Sequence, residues 1–128
     1  MLIEEYFKEI NEAIEKSPFV IQSDIFKDKR SLYVGFVSGI ICFQDGSRLN
    51  FTEFVDVSEK IDKYKYRYHY QARDGVRVFR YIMAPHHRHI STFPDHKHIG
   101  PETSPNKVME SEEPTLKEVI AEIESLIV

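Results

Sequence analysis

The chain has few of the features that mark secreted or membrane proteins. Its single cysteine, Cys42, cannot form a disulfide within the chain, which is typical of proteins of the reducing cytoplasm. Met1 leads directly into a charged amphipathic segment, so no signal peptide is expected. No apolar run approaches the roughly 20 residues that a membrane-spanning helix requires. We therefore predict a cytoplasmic protein without a membrane partner.

An excess of positive charge is also absent. The 17 basic and 21 acidic residues give a net charge of −4, which argues against a generally basic nucleic-acid-binding protein. The charge is unevenly distributed, however, because the acidic residues crowd the two ends of the chain. Residues 63–98 contain only Asp74 and Asp95 as acids, beside eight basic residues and all six histidines. The centre of the chain is therefore locally basic.

The hydrophobic pattern predicts one α+β domain over residues 1–128. Apolar residues recur at helical spacing in residues 2–16 and 115–128, which indicates an amphipathic helix at each end. Residues 19–29 have an extended pattern, and Asp-Gly turns at 45–46 and 74–75 each indicate a hairpin. Residues 84–113 are proline-rich and are expected to be irregular. The prediction is an antiparallel β-meander of about five strands with both helices packed on one face.

The stretch KYKYRYHYQ, residues 63–71, alternates aromatic with mostly cationic side chains. A strand sends these to opposite faces, and a two-residue turn at Asp74-Gly75 would pair His69 with Arg80 and Tyr70 with Phe79. Arg67, His69 and Arg80 are then expected to project together, opposite the aromatic face. The tyrosines fit either a core or a platform on which unpaired bases stack.

Glu53 interrupts an apolar face of the first hairpin. A two-residue turn at Asp45-Gly46 would pair it with Ser38, and Cys42 with Leu49. An unpaired carboxylate among apolar groups has a raised pKa, which a general base near neutral pH needs. The alternative is a structural glutamate held by a lysine or an arginine.

Residues 84–99, APHHRHISTFPDHKHI, contain five of the six histidines. Imidazoles are common metal ligands, and His96 and His98 would point the same way from a strand, but the spacing matches no zinc motif. Imidazoles also act as acids and bases on a phosphodiester, with arginine and lysine stabilising the developing charge. Purely structural histidines that bond loop carbonyls are the third interpretation.

The succession YKYRYHYQ, Asp-Gly turn, VFRYIMAPHH, STFPDHKHI and closing amphipathic helix resembles the TumE family, small toxins of type II toxin–antitoxin modules. The resemblance extends from about residue 30 to about residue 126. The family pattern commonly has Asp-Asn where this chain has Ile82-Met83, and a histidine where this chain has Asp95. If the aspartate of that Asp-Asn pair serves catalysis in the family, this chain is weakened or inactive. The resemblance puts these residues at recurrent family positions: Glu53, His69, Arg80, His86, His87, His96, Lys97 and His98.

The leading hypothesis is a toxin that acts as a metal-independent endoribonuclease without a cofactor, in analogy with other small toxins that attack RNA. The family resemblance implies a helix-turn-helix antitoxin as partner, and RNA and a homodimer are further candidates. The alternatives are a non-catalytic module whose basic face binds an acidic partner or the antitoxin, and a metal-binding protein. The candidate acids and bases are His69, His86, His98 and Glu53, and the candidate phosphate or RNA ligands are Arg67, Arg80, Lys97, His87 and His96.

Overall fold

A computed structural model describes residues 1–84, 87, 90–103 and 107–127. In this described part of the chain, two helices flank seven strands. The elements are α1 (Ile3–Glu15), β1 (Val20–Lys29), β2 (Val34–Phe43), β3 (Arg48–Asp56), β4 (Asp62–Gln71), β5 (Arg77–Met83), β6 (Asp95–Ile99), β7 (Val108–Glu110) and α2 (Leu116–Ile127).

The strands form one antiparallel sheet in the order β1 to β7, with each strand paired to the next along the chain. The α+β meander is thus confirmed, but the predicted count of about five strands is wrong. Strands β6 and β7 lie in the segment that we expected to be irregular. The sequence conceals them because β6 reads DHKHI, with two histidines and a lysine in place of apolar residues, and β7 has only three residues.

Both helices cover one face of the sheet, where the core lies. Helix α1 buries five residues and α2 buries four, and these pack with Val37, Leu49, Phe51 and Tyr68 of the strands. Helix α2 begins with a capping box, in which Thr115 Oγ1 accepts the Glu118 N–H at 3.1 Å and Glu118 Oε1 accepts the Thr115 N–H at 3.0 Å. The described residues contain no helix that is long and apolar enough to cross a membrane.

The hairpin β4–β5 has the predicted pairing at its centre. His69 lies opposite Arg80 and Tyr70 lies opposite Phe79, while a bulge shifts the register near the turn. The tyrosines at positions 66, 68 and 70 are each at most 3% exposed and belong to the helix-covered core. Of the two interpretations of the aromatic face, the core is therefore correct, and the face opposite, which we call the open face, carries the histidine and arginine side chains.

The hairpin β2–β3 differs from its predicted pairing by one residue. Leu49 pairs with Ile41, and Glu53 pairs with Val37 rather than Ser38. The reason is that the loop has three residues between Phe43 and Ser47, whose backbone N–H and C=O bond at 3.0 Å, and Gly46 in this loop has φ +87. The register changes the partner of Glu53 but not its face, because Glu53 alternates along β3 with the buried Leu49, Phe51 and Val55 and therefore lies on the helix-covered face.

A bulge near the start of β4 reverses the expected orientation of two side chains. The register shifts between Phe54 and Val55, so Lys63 points into the core and is 2% exposed, while Tyr64 lies outside and is 49% exposed. A bulge inserts one residue into a strand and thereby turns the following side chains to the other face. The predicted cationic face therefore loses Lys63 and gains Tyr64.

Candidate functional site

The open face of the sheet brings together residues from four strands. Asn50, His69, Arg80 and His98 lie directly opposite one another on β3, β4, β5 and β6. The neighbouring row along the same strands consists of Thr52, Arg67, Ile82 and His96. Directly opposed residues in a sheet have Cβ atoms roughly 5 Å apart, so a row is a set of close neighbours.

Arg80 connects His69, its neighbour in the first row, to an acid of the loop after β6. Its Nε–H donates to Nδ1 of His69 at 3.1 Å, and its Nη2 donates to Oε1 of Glu102 at 3.0 Å. Since a guanidinium only donates, Nδ1 of His69 accepts, and the proton of the neutral imidazole lies on Nε2. The Arg80 side chain is 24% exposed, so an anion can approach it from the open face.

His69 and His98 both lie on the open face with lowered pKa values. Burial lowers the pKa of His69, and the positive charge of Arg80 lowers it further, while Glu102 raises it. Burial together with His96 and Arg77 lowers the pKa of His98 to about 4. Both imidazoles are therefore neutral at pH 7 and are able to accept a proton or to ligate a metal.

Three histidines cluster at the β6 end of this face. The ring centroids of His87 and His96 are 5.2 Å apart, those of His87 and His98 are 5.7 Å apart, and those of His96 and His98 are 4.9 Å apart. His96 is only 2% exposed, and its Nδ1 is 3.2 Å from the carbonyl oxygen of Pro94. We call these three residues the histidine triad. His86, which the sequence also made a candidate, lies outside the described residues.

Glu53 is not in this group, because it lies on the helix-covered face with no exposed surface. Its two carboxylate oxygens accept hydrogen bonds from the hydroxyls of Tyr6 and Tyr68, and Lys63 Nζ is 3.7 Å from Oε2. Lys63 also donates to Tyr68 at 2.7 Å and to the Pro114 carbonyl at 2.6 Å. The glutamate thus connects α1 to the sheet. Of the two interpretations of Glu53 given above, this arrangement agrees with the structural glutamate held by a lysine.

Lys97 also points away from the open face. Its Nζ donates to Oε2 of Glu122 in α2 at 2.7 Å and lies 4.6 Å from the centroid of the Tyr81 ring. Tyr81 in turn donates to the other carboxylate oxygen of Glu122 at 2.5 Å. Lys97 therefore joins α2 to the sheet, and alternation along β6 separates it from His96 and His98 on either side of it.

Sequence reasoning missed an aromatic row on the open face. Phe26, Phe36, Phe54 and Tyr64 form a continuous series with centroid separations of 6.1, 4.6 and 5.9 Å. Phe36 is opposite Phe54, a pairing that the correct loop length of the first hairpin would have given. We call this series the aromatic ladder.

Between the ladder and the histidine–arginine row lies a shallow groove of about 310 Å³. It is lined by Phe26, Asn50, Thr52 and Arg67, and also by Asp24, among others. An aromatic ring and a guanidinium suit a ligand that has flat rings and an anionic group, whereas the Asp24 carboxylate repels an anion placed beside it.

The fold and this face define a small α+β protein with a cationic, imidazole-rich sheet surface. The family model described as Toxin TumE matches residues 10–127, so the chain belongs to the TumE toxin family. Membership of a toxin family implies an antitoxin as partner. Neither the curated proteins nor the solved structures gave a match.

Proposed function

We propose that this TumE-family toxin cleaves single-stranded RNA on the open face, without requiring a metal, and that a helix-turn-helix antitoxin neutralises it. The observation that carries the proposal is the hydrogen-bonded pair of His69 and Arg80 beside the groove and the aromatic ladder. Unpaired bases stack on aromatic side chains, and guanidinium groups bind phosphates, so one surface offers both contacts that a single strand needs.

The scissile phosphate binds between Arg67 and Arg80, whose side chains project from adjacent strands. The phosphate replaces His69 as the acceptor of the Arg80 N–H, and this exchange frees Nδ1 of His69. Because the pKa of His69 is lowered, the freed nitrogen is unprotonated at pH 7. Anion binding and activation of the base are thus coupled through Arg80.

The reaction is an internal transfer at phosphorus. Nδ1 of His69 accepts the proton of the ribose 2′-hydroxyl, and the 2′-oxygen forms a bond to phosphorus. The bond from phosphorus to the 5′-oxygen breaks, and the departing oxygen takes a proton from water, which leaves a 2′,3′-cyclic phosphate and a 5′-hydroxyl. The hydroxide formed from that water takes the proton from His69 and restores the neutral imidazole. The two guanidinium groups stabilise the extra negative charge of the pentacoordinate phosphate.

The other sequence candidates have different roles in this proposal. His98, whose pKa is lowered to about 4, is neutral at pH 7, so we do not assign it the role of general acid. Glu53 and Lys97 hold the two helices on the opposite face and contribute through stability alone.

The test is cleavage of end-labelled single-stranded RNA by purified, tag-free protein in EDTA. We expect cyclic-phosphate products, no cleavage where the 2′-hydroxyl is replaced by hydrogen, and loss of cleavage in His69→Ala. Lys97→Ala is the matched control, because it removes a cation from the other face and should leave cleavage intact. Tight RNA binding without turnover in wild type would instead support a non-catalytic module, and cleavage only with added metal would contradict the proposed mechanism.

Growth of cells that express the chain gives an independent readout. Expression should arrest growth, His69→Ala should relieve the arrest at equal protein level, and co-expression of a neighbouring helix-turn-helix protein should also relieve it. Equal toxicity of wild type and His69→Ala would overturn the assignment of the site.

A further inference from the structure

The histidine triad has the composition and spacing of a metal site. One nitrogen from each of His87, His96 and His98 lies within 4.8 Å of the other two. We infer that these three imidazoles bind one divalent transition-metal ion, with zinc as the first candidate.

The fold brings the ligands from two separate segments. His96 and His98 are alternate residues of β6 and therefore project from the same face. His87 comes from the segment that follows β5, where a φ of 56° turns the chain and the carbonyl of His87 accepts the Ile90 N–H at 3.1 Å. Ile90 is 8% exposed. Two ligands thus lie on one strand and the third lies beyond the end of β5, and the fold brings their rings together.

The protonation state of His96 suits a metal ligand. Its Nδ1 faces the Pro94 carbonyl at 3.2 Å, and a carbonyl only accepts, so Nδ1 carries the proton. The unprotonated nitrogen is then Nε2. A hydrogen bond from the second ring nitrogen to a backbone carbonyl is the usual way in which metal-binding histidines are oriented, and it increases the basicity of the ligating nitrogen. Burial of His96 keeps this orientation fixed.

The distances need only a small adjustment. A tetrahedral zinc ion with bonds of about 2.05 Å to nitrogen separates its ligand atoms by about 3.4 Å. The present separations of up to 4.8 Å close to this value by modest rotation of the rings. Three nitrogen ligands favour zinc and other transition ions over calcium and magnesium, which prefer oxygen. Three protein ligands leave a fourth position for water.

Among the described residues, Arg77 and Arg80 lie near enough to oppose a bound dication, and both have other partners. The guanidinium of Arg77 donates to the carbonyls of Gly100 and Pro101 at 2.9 and 3.3 Å. Arg80 donates to His69 and to Glu102. Their side chains are directed to these partners, and the carboxylate of Glu102 offsets one of the two charges. The repulsion between these arginines and a bound dication is therefore reduced, and the three imidazole–metal bonds have less to overcome.

The bound ion would fasten the segment after β5 onto β6. Its uptake does not depend on the proposed RNA cleavage, in which none of the three ligands transfers a proton. The two proposals therefore fail independently: absence of cleavage leaves metal uptake intact, and absence of uptake leaves cleavage in EDTA intact.

The experiment uses full-length, tag-free protein stripped with EDTA and then dialysed. Zinc chloride is titrated in by calorimetry, and cobalt chloride is titrated in parallel while the visible spectrum is recorded. We expect one zinc per chain and an intense cobalt spectrum of a tetrahedral nitrogen site. His87→Ala and His98→Ala should each weaken zinc binding by about 100-fold or more, since loss of a residue that merely orients a ligand costs roughly 10- to 100-fold.

His69→Ala is the matched control, because it removes a histidine of the same face that is not in the triad. It should bind zinc like wild type. Circular dichroism verifies that each variant is folded, and His98→Asn, which keeps the size of the side chain, replaces His98→Ala if the latter unfolds. Absence of stoichiometric uptake by wild type, or equal affinity of wild type and both ligand variants, would overturn the inference.

Discussion

Arg80 Nε donates a hydrogen bond of 3.1 Å to Nδ1 of His69, although both side chains are basic. The contact is stable only while the imidazole is neutral, since a protonated ring has no acceptor and would repel the guanidinium. The pair is therefore a device that keeps one histidine unprotonated on the open face. Glu102, on the other side of Arg80, moderates the charge of the guanidinium.

The pKa of His69 should respond in opposite directions to its two charged neighbours. In Arg80→Gln the pKa should rise part of the way toward its ordinary value of about 6.5, because one repulsive charge is gone while burial still lowers the pKa. In Glu102→Gln it should fall further, because the attractive charge is gone. Titration of the His69 ring signals by NMR measures both shifts, and an unchanged pKa in Arg80→Gln would contradict the coupling.

The rate of RNA cleavage should decrease at acidic pH as His69 becomes protonated. The proposed base must be unprotonated, so the rate should be constant above the pKa of His69 and fall as the pH decreases through it. Because burial and Arg80 lower this pKa, the midpoint should lie below about 6.5. The pH dependence of kcat/KM in EDTA measures it. A rate that increases on acidification would exclude His69 as proton acceptor.

Removal of the Glu53 carboxylate should reduce stability strongly. Glu53→Leu leaves the Lys63 ammonium buried without its acid and deprives the hydroxyls of Tyr6 and Tyr68 of their acceptor. Breaking a buried ion pair on one side costs about 3–5 kcal/mol. Urea denaturation followed by circular dichroism should show this loss. The double variant with Lys63→Met should lose less than the sum of the two single variants, and additivity would contradict the pairing.

Substitutions of Lys97 and Arg67 should have different effects, one on stability and the other on RNA affinity. Lys97→Met removes the partly exposed ion pair with Glu122 and should lower the free energy of unfolding by about 1 kcal/mol without changing the affinity for RNA. Arg67→Met, on the open face, should leave stability nearly unchanged, weaken RNA binding and reduce its salt dependence. Thermal denaturation and fluorescence anisotropy with a labelled oligonucleotide test both. The opposite assignment of effects would show that RNA binds the helix-covered side.

The aromatic ladder should contribute stacking energy. Phe54→Leu keeps an apolar side chain but removes the ring between Phe36 and Tyr64. Loss of one stacked base costs about 1–3 kcal/mol, so the affinity for single-stranded RNA should fall by roughly 5- to 150-fold. Leu126→Ala, an exposed apolar residue of α2, is the control and should have no effect. Equal affinity of Phe54→Leu and wild type would remove the ladder from the binding surface.

Local patterns were sufficient for much of the fold. Helical spacing gave both helices to within a residue or two, and the Asp74-Gly75 turn gave the pairing of His69 with Arg80. These features depend on neighbours a few residues apart along the chain. The sequence did not predict β6 and β7, because these strands contain few apolar residues. Strand β6 is identified only by its pairing with β5 in the structure.

The positions of the site candidates were harder to predict than their identities. Glu53 changed partner because a three-residue loop replaced the expected two-residue turn. A bulge exchanged the orientations of Lys63 and Tyr64. Since side chains alternate along a strand, an error of one residue moves a side chain to the opposite face.

The sequence by itself determined the terminal helices, the central hairpin and the concentration of imidazole and guanidinium groups in the middle of the chain. Tertiary structure alone decided which of those groups share a surface. The helices cover one face, the register directs His69, Arg80, His96 and His98 to the other, and the segment after β5 adds His87. The physical reason is that propensity acts within a few residues, whereas the face on which a side chain emerges depends on the cumulative count of residues through every turn and bulge before it.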